Sequence, residues 1–283
     1  MLIRALIAML VAAVTISPVR AASMSPVVDR TLAAQTDRGQ ALITASLLAG
    51  GVQAQEDLAR REEAFARLAA DFHSEFPVQP EPRVLAKAAH RFLYARVLKQ
   101  YDAAASNLAR TLDDGTYNCV TGTLLMIALA ENCGVPAAAR QTRGHVWCVL
   151  GSGSEAIEVE TTCAERYLRR SSADDSQART VTGGELIAMV YFNRAVDHLA
   201  QEHYADALTA NLAALALDPG SPWAKENLLA TVNNWAVSLA SRGDRAGALR
   251  LMAAGELLDP NYAPFLKNRK HWEAAEGQRL SGR

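Results

Sequence analysis

The sequence predicts an α+β protein that is mostly helical, with a small antiparallel sheet in its middle and a helical repeat region at its end. Half of its 283 residues are hydrophobic but only 6% are aromatic, and alanine is abundant, which favours closely packed helices. Short strand-like segments bounded by glycines occur only between residues 137 and 160. From about residue 186 the chain reads as helical and repeats its own pattern.

The first 21 residues predict a secretory signal peptide. An apolar run from Ala5 to Ile16 follows one arginine, and Val19 and Ala21 occupy the −3 and −1 positions of a cleavage site. A membrane anchor is the alternative, but the run has about 12 residues where a bilayer requires about 20. We therefore expect cleavage near Ala21, export to the periplasm or secretion, and no stable membrane insertion afterwards.

The charge balance argues against a nucleic-acid partner. The net charge is −1, and loss of Arg4 and Arg20 with the signal peptide lowers it to about −3. Proteins that bind nucleic acid through its phosphates carry an excess of basic side chains.

The four cysteines do not form a zinc motif. They are spaced by 14 or 15 residues, whereas structural zinc sites present cysteines in close pairs. Two disulfides are one interpretation for an exported chain. If one cysteine is a nucleophile, at most one disulfide remains among the other three. We expect no metal and no cofactor. The cysteines are Cys119, Cys133, Cys148 and Cys163.

Residues 22–82 predict an N-terminal helical segment. Two helices within residues 27–76 are broken near residues 49–51, and a proline cluster at residues 77–82 marks a joint. A helix of periodic apolar residues follows, and we assign His90 on it a structural role. A short helix and a "DDG" turn then lead to Cys119.

Cys119 is predicted to begin a buried helix. Asn118 suits the N-cap position, residues 120–129 are apolar nearly all round, and Gly134 followed by Pro136 ends the helix. A thiol in the first helical turn lies at the positive end of the helix dipole, which favours the thiolate.

The same helix end provides donors for an oxyanion. The backbone N–H of Cys119 is the first candidate, and either Tyr117 or Asn118 is a candidate second donor. Gly122 permits a close backbone approach or is simply a tolerated glycine; the sequence leaves both interpretations open.

Two strands beyond this helix predict a hairpin closed by "GSGS". Closing it symmetrically places Leu150 opposite Glu155, Trp147 opposite Glu158 and His145 opposite Glu160. Opposed residues have Cβ atoms about 4.5–5.5 Å apart, so the Glu160 carboxylate can hold the imidazole of His145. A surface ion pair is the alternative. The pairing requires an even-numbered turn, and Glu158, on the same face, is the alternative acid.

These residues resemble the transglutaminase-like superfamily, a papain-like fold shared by transglutaminases, cysteine peptidases and deamidase-type enzymes. The motifs "YNCVTGTLL", "GHVWCVL" and "EVETT" carry the resemblance, which covers a core at residues 83–165. It implies that Cys119 is the nucleophile, His145 the general base and acid, and Glu160 the orienting residue. The superfamily more often has Asp at this third position. The implied core is a buried helix packed on a small antiparallel sheet.

After a polar stretch at residues 166–185, expected to be a linker, the chain repeats with an offset of 41 residues. Both copies end in Asp-Pro and keep small residues at matched positions, which is similar to the tetratricopeptide repeat. The offset exceeds the usual repeat of about 34 residues, and Arg194, His198 and Asn211 depart from the family pattern. The repeats and a polar capping helix would occupy residues 186–283. The matched small residues are Ala195, Ala207 and Ala214 in the first copy and Ala236, Ala248 and Gly255 in the second.

The resemblances together imply an exported cysteine hydrolase or acyltransferase that acts on a peptide or amide bond through a thioester, with repeats that bind a protein or peptide. Water as acceptor would give hydrolysis and an amine would give cross-linking. The alternative is a catalytically inactive transglutaminase-like domain in a repeat scaffold protein.

Overall fold

The computed structural model describes residues 38–76, 80–170 and 172–281. Helices make up 66% of the structure, beside small sheets, which confirms the predicted mostly helical α+β class. The described residues divide into two compact units, the first ending at Arg194 and the second beginning at Ala195. The predicted signal peptide lies outside the described residues.

Helix α5 (Cys119–Asn132) is the centre of the first unit. It is buried around its whole circumference from Val120 to Ala130, as its continuous apolar sequence predicts. Helices α1 (Arg38–Ala49), α2 (Gln55–Glu75) and α3 (Pro82–Arg96) all contact it. Helix α4 (Leu108–Asp114) packs beside α1 and α2. Only the two ends of α5 reach partly exposed positions, Cys119 at the N-terminal end and Glu131 and Asn132 at the C-terminal end.

The expected boundary near residue 82 separates helices that the structure packs together. Ile43 and Leu47 of α1 and Phe65 of α2 are fully buried, and both helices contact α5. Because α5 is apolar on all sides, residues 83–165 alone would leave part of it uncovered. The N-terminal helices thus belong to the same unit as the predicted core.

Two sheets complete the first unit. Strands β1 (Gln100–Tyr101) and β2 (Thr116–Tyr117) pair in parallel. The larger, antiparallel sheet has the order β5-β4-β3-β6, and α5 contacts β3 (Ala137–Gln141) and β4 (Val146–Leu150). Strand β5 (Ile157–Val159) lies beside β4, and β6 (Arg179–Val181) lies beside β3.

The predicted register of the β4–β5 hairpin is wrong by two residues. Leu150 pairs with Ile157 rather than Glu155, and Glu158 lies opposite Val149 rather than Trp147. The connection takes residues 151–156 and contains the 3₁₀ turn Gly153–Glu155, with Gly151 and Gly153 at positive φ. It is longer than the four-residue turn expected, but it is still even-numbered. Each side chain therefore keeps its predicted face of the sheet.

The sequence predicts a linker at residues 166–185, but the structure shows that this stretch joins the larger sheet. It returns to the larger sheet, first through a bridge between Leu168 and Val159 and then as β6. This stretch lacks alternating hydrophobicity because β6 is a short edge strand in which only Val181 is buried. Its backbone pairs with β3, and Arg179 of β6 also donates to Gln141 Oε1 of β3 at 3.1 Å.

The second unit is helical. It contains the C-terminal end of α6 (Gly183–Ala200), then α7 (Tyr204–Leu217), α8 (Pro222–Ser241), α9 (Arg245–Leu258) and α10 (Ala263–Ser281). Each of α7, α8 and α9 contacts the next helix along the chain, and α10 also contacts α8. All six small residues matched between the two sequence copies are buried, because helices approach closely there. No helix in the described part of the chain is both long and apolar enough to span a bilayer.

Gly255 tests the close packing in the second unit. A Cβ at this position would overlap Phe265 Cζ and lie 3.0 Å from Val232 Cγ1. We expect Gly255→Ala to lower the free energy of unfolding by roughly 1–3 kcal/mol, measured by urea denaturation. The control is Gly184→Ala in α6, where the nearest atom is Thr182 Oγ1 at 3.9 Å. That change should be neutral or stabilising by up to about 1 kcal/mol; equal effects of the two substitutions would contradict this packing.

Candidate active site

Asn118 holds Cys119 at the first position of α5. The Asn118 side-chain oxygen accepts hydrogen bonds from the backbone N–H groups of Val120 at 2.9 Å and Thr121 at 3.1 Å. Thr121 Oγ1 in turn accepts the Asn118 N–H at 3.1 Å, which completes a capping box. The N–H of Gly122 donates to the Asn118 carbonyl. Asn118 thus accepts hydrogen bonds from the three backbone N–H groups that follow Cys119, but not from the N–H of Cys119 itself.

The Asn118 side chain is also anchored on its other side. Its Nδ2 donates to the Ala103 carbonyl at 3.2 Å and to Ser106 Oγ at 2.7 Å. Asn193 Nδ2 donates to the same Ser106 hydroxyl at 2.6 Å. Asn118 is only 1% exposed, and both polar atoms of its side chain have hydrogen-bond partners within the protein. These bonds make Asn118 a positioning residue and leave it no donor for an oxyanion.

His145 and Glu160 form the predicted pair despite the shifted register. His145 Nε2 lies 3.2 Å from Glu160 Oε2, with exposed side-chain fractions of 26% and 9%. Glu160 Oε1 accepts the N–H of Thr162 at 3.0 Å and its hydroxyl at 2.6 Å. The two residues share a face but lie diagonally rather than directly opposed, a distance that long side chains can bridge.

The pKa values of this pair move in opposite directions. Burial by itself lowers the pKa of His145, but hydrogen bonds to Cys119 and Glu160, and the charges of both, raise it to about 9. Burial by itself raises the pKa of Glu160, but hydrogen bonds from His145 and Thr162 lower it to about 2. At neutral pH the pair is an imidazolium beside a carboxylate.

Cys119 and Glu160 therefore both act on His145. Glu160 holds Nε2 at 3.2 Å, and the interaction with Cys119 is among the causes that raise the pKa of the imidazole. The three residues come from a helix, a strand end and the segment after β5. The structure places together all three residues that the sequence proposed for the site.

Glu158, the alternative acid, has a different partner. Its Oε1 lies 2.6 Å from Arg140 Nη1. Both side chains are about one-third exposed, as expected for an ordinary ion pair near the surface. Glu158 does not contribute to the pKa shift of His145.

Gly122 and Thr123 fix the distance between α5 and the other two site residues. A Cβ on Gly122 would lie 3.2 Å from three atoms of Thr161, the residue after Glu160. Thr123 Oγ1 lies 3.2 Å from Thr161 Oγ1 and 3.5 Å from the carbonyl of Val146, the residue after His145. Of the two interpretations left open, the structure supports a close approach at Gly122.

Trp147 and Arg169 form a layer behind the imidazole. The Trp147 ring is fully buried and nearly parallel to that of His145, with centroids 5.9 Å apart. The Arg169 guanidinium lies 3.7 Å from the Trp147 centroid and pairs with Asp175. Alternation along β4 places Trp147 on the face of His145, but no sequence signal connects Arg169 with either.

Three tyrosines line the side of the site near Cys119, and sequence reasoning singled out only Tyr117. The hydroxyl of Tyr94 lies 3.0 Å from that of Tyr117 and donates to the Thr161 carbonyl at 3.1 Å. The hydrogen of Tyr117 is thereby directed to Tyr94. Tyr101 packs edge-on against Tyr117 at 5.6 Å. Burial, and then the charge on Cys119, raise the pKa of Tyr101.

His90 has the structural role expected for it. It is 4% exposed, and its Nε2 lies 2.9 Å from the Cys163 carbonyl. Burial lowers its pKa in spite of that bond and of Glu160. A neutral imidazole therefore donates to the carbonyl and helps to hold the segment after Glu160.

All four cysteines are free thiols. Cys133 and Cys148 are buried, and burial raises the pKa of each thiol, which makes both poor nucleophiles. Cys163 is half-buried and donates to Glu165 Oε2 at 3.2 Å. Of the four, only Cys119 is among the causes that raise the pKa of His145.

No protein-family model, curated protein or solved structure matches this chain.

Glu160→Gln tests the origin of the high pKa of His145. The change keeps the shape of the side chain but removes the negative charge that stabilises the imidazolium. We expect the pKa of His145 to fall, measured from the pH dependence of its ring-proton NMR shift. Glu158→Gln is the matched control and should leave the pKa of His145 unchanged, because Glu158 pairs with Arg140. The opposite ranking of the two variants would refute the assignment of Glu160.

Proposed function

We propose that this chain is a transglutaminase-like thiol hydrolase or acyltransferase that acts on a peptide or amide bond. The observation that carries the proposal is the hydrogen-bonded pair of His145 and Glu160, with an imidazole pKa that Cys119 helps to raise, beside a cysteine at the N-terminus of a buried helix. A thiol, a histidine and a residue that orients the histidine are the parts that thioester chemistry requires.

The surrounding architecture supports a papain-like core. The proposed nucleophile begins a helix that packs on an antiparallel sheet. The histidine directly precedes β4 and the acid directly follows β5, which is the neighbouring strand of that sheet. Gly122 and Thr123 lie close to Thr161, the residue after Glu160, where the superfamily more often has Asp. The helix and the acidic segment are held at a fixed separation, and Thr162 holds the carboxylate.

Acylation begins when Cys119 Sγ attacks the carbonyl carbon of the substrate. A C–S bond forms, and the carbonyl oxygen becomes an oxyanion that accepts the N–H of Cys119. His145 donates its proton to the nitrogen as the C–N bond breaks, and the amine leaves. The products of this step are a thioester on Cys119 and a neutral imidazole that Glu160 still holds by Nε2.

Deacylation uses the change in charge that acylation causes. Cys119 is one of the two groups that raise the pKa of His145, and a thioester no longer carries that charge. The pKa of His145 therefore falls, and the imidazole can remove a proton from water or an amine. The activated oxygen or nitrogen attacks the thioester, the C–S bond breaks, and the thiolate and imidazolium form again.

Tyr101 is the best candidate for the second oxyanion donor. Asn118 uses its side-chain amide and its N–H within the cap, and Tyr117 directs its hydroxyl hydrogen to Tyr94. Tyr101 is 47% exposed, and Cys119 is one of the charges that raise its pKa. It is thus the tyrosine that a substrate can reach.

The repeats supply the proposed contact with a protein or peptide partner. Large apolar side chains are exposed along the helices of the second unit, the most exposed being Leu257 at 64%. Exposed apolar side chains on stacked helices suit peptide binding. In this proposal the signal peptide exports the chain, and the repeats hold the substrate protein or a second partner.

The direct test is acylation by 4-nitrophenyl acetate, which needs no knowledge of the natural substrate. We expect a burst of about one equivalent of 4-nitrophenolate, followed by slower turnover as the thioester hydrolyses. Peptide mapping should place the acetyl group on Cys119. His145→Ala should slow acylation by at least about 100-fold, because the general acid–base group is lost.

Cys163→Ser is the matched control, since it removes the other partly exposed thiol, and it should retain the burst. Acetylation of Cys119 no faster than of Cys163 would reject the enzyme and favour the inactive scaffold.

A further inference from the structure

The turn between α6 and α7 brings two histidines together. The N–H of His203 donates to the carbonyl of His198 at 2.8 Å, and that of Glu202 donates to Leu199 at 3.1 Å. These are the two bonds of a Schellman motif, with Glu202 in the left-handed conformation at φ 59°. The two imidazole rings lie 6.1 Å apart at the positions where this motif normally has an apolar contact.

The equivalent turn between α8 and α9 shows what the same motif looks like without histidines. Asp244 N–H donates to Leu239 at 2.9 Å and Gly243 N–H donates to Ala240 at 3.1 Å. The left-handed residue is Gly243, at φ 90°. Asp244 also caps the next helix by accepting the N–H of Gly247 at 2.8 Å. Leu239, Gly243 and Asp244 all favour the local fold.

The turn between α6 and α7 lacks each of these stabilising residues. Histidine replaces the apolar residue, and His203 makes no side-chain cap bond to α7. A glutamate occupies the left-handed position, which is less favourable there than glycine. Residues that oppose local stability in this way are typical of functional sites.

Asp206 adds a carboxylate to the two imidazoles. It lies in the first turn of α7, three residues after His203. One ligand atom from each of His198, His203 and Asp206 lies within 4.8 Å of the others, the only group of this kind within the described residues. Zinc bonds of about 2.0–2.2 Å need ligand atoms about 3.3–3.6 Å apart. His203 and Asp206 are exposed, so rotation of their side chains can close that difference.

We propose that His198, His203 and Asp206 form a binding site for a divalent transition metal, with Zn²⁺ as the ion that their chemistry favours. Two imidazoles and one carboxylate are a known type of zinc ligand set, and three protein ligands leave the fourth position to water or an external ligand. The C-terminal end of α6 carries a partial negative charge that also favours a cation. The metal links the two helices of this turn in place of the apolar contact.

The test is titration of the EDTA-treated full-length mature protein with ZnCl₂, followed by isothermal calorimetry and by thermal unfolding. We expect one equivalent of Zn²⁺ to bind and the Tm to rise with it. His203→Gln and Asp206→Asn should each weaken this binding at least tenfold and remove the rise in Tm. Both side chains are exposed, so circular dichroism should show a normally folded protein in each case.

Two matched variants exclude other sites. His271→Gln removes an exposed histidine elsewhere in the second unit, and Cys119→Ser removes the thiol of the proposed active site; neither should change the affinity of this equivalent. Loss of binding in the control variants, equal binding in His203→Gln, or no bound equivalent in the parent protein would each overturn the proposal. Its outcome does not depend on whether Cys119 is catalytic.

Discussion

The capped N-terminus of α5 is the constraint on which the candidate site depends. The helix is apolar on every side and is buried from Val120 onward, so the protein packs three helices and a sheet around it. Its first turn carries Cys119, the partly exposed thiol of the candidate site. Asn118 satisfies the amides of that turn and is itself held by Ala103 and Ser106. Small movements of Cys119 would therefore disturb a buried hydrogen-bond network.

The position of His145 and Glu160 follows from the same helix. Thr123 contacts the residue after each of them, and Gly122 allows the segment at Thr161 to lie directly against the helix. The three site residues come from distant parts of the chain, yet each is tied to one turn of α5. This explains why a hairpin register shifted by two residues still leaves the histidine–carboxylate pair intact: the face of the sheet and the contact with α5 decide the pair, not direct opposition.

Local patterns predicted the elements that carry the site. An asparagine before an apolar run marked the cap, and an even-numbered turn kept His145 and Glu160 on one face. The length of that turn was not predictable, because its 3₁₀ geometry depends on glycines at positive φ that fit more than one loop. Strand β6 gave no hydrophobic alternation, and Tyr101 and Arg169 reach the site only through the tertiary fold. The proposed metal ligands of the second unit show no sequence signal, because a helix-ending motif brings them together rather than a spacing typical of zinc sites.

We propose that His145 and Cys119 act together at neutral pH, and the pH dependence of alkylation of Cys119 decides whether they do. The rate of reaction of Cys119 with iodoacetamide can be followed by peptide mapping between pH 5.5 and 9. A free thiol with a pKa of about 8.5 is only about 0.3% ionised at pH 6. Because the pKa of His145 is about 9, its imidazolium is present at pH 6 to stabilise the thiolate. We expect Cys119 to react at pH 6 at least tenfold faster than a small-molecule thiol; a rate no faster than that thiol, or Cys119 found in a disulfide, would refute the joint action of the two residues.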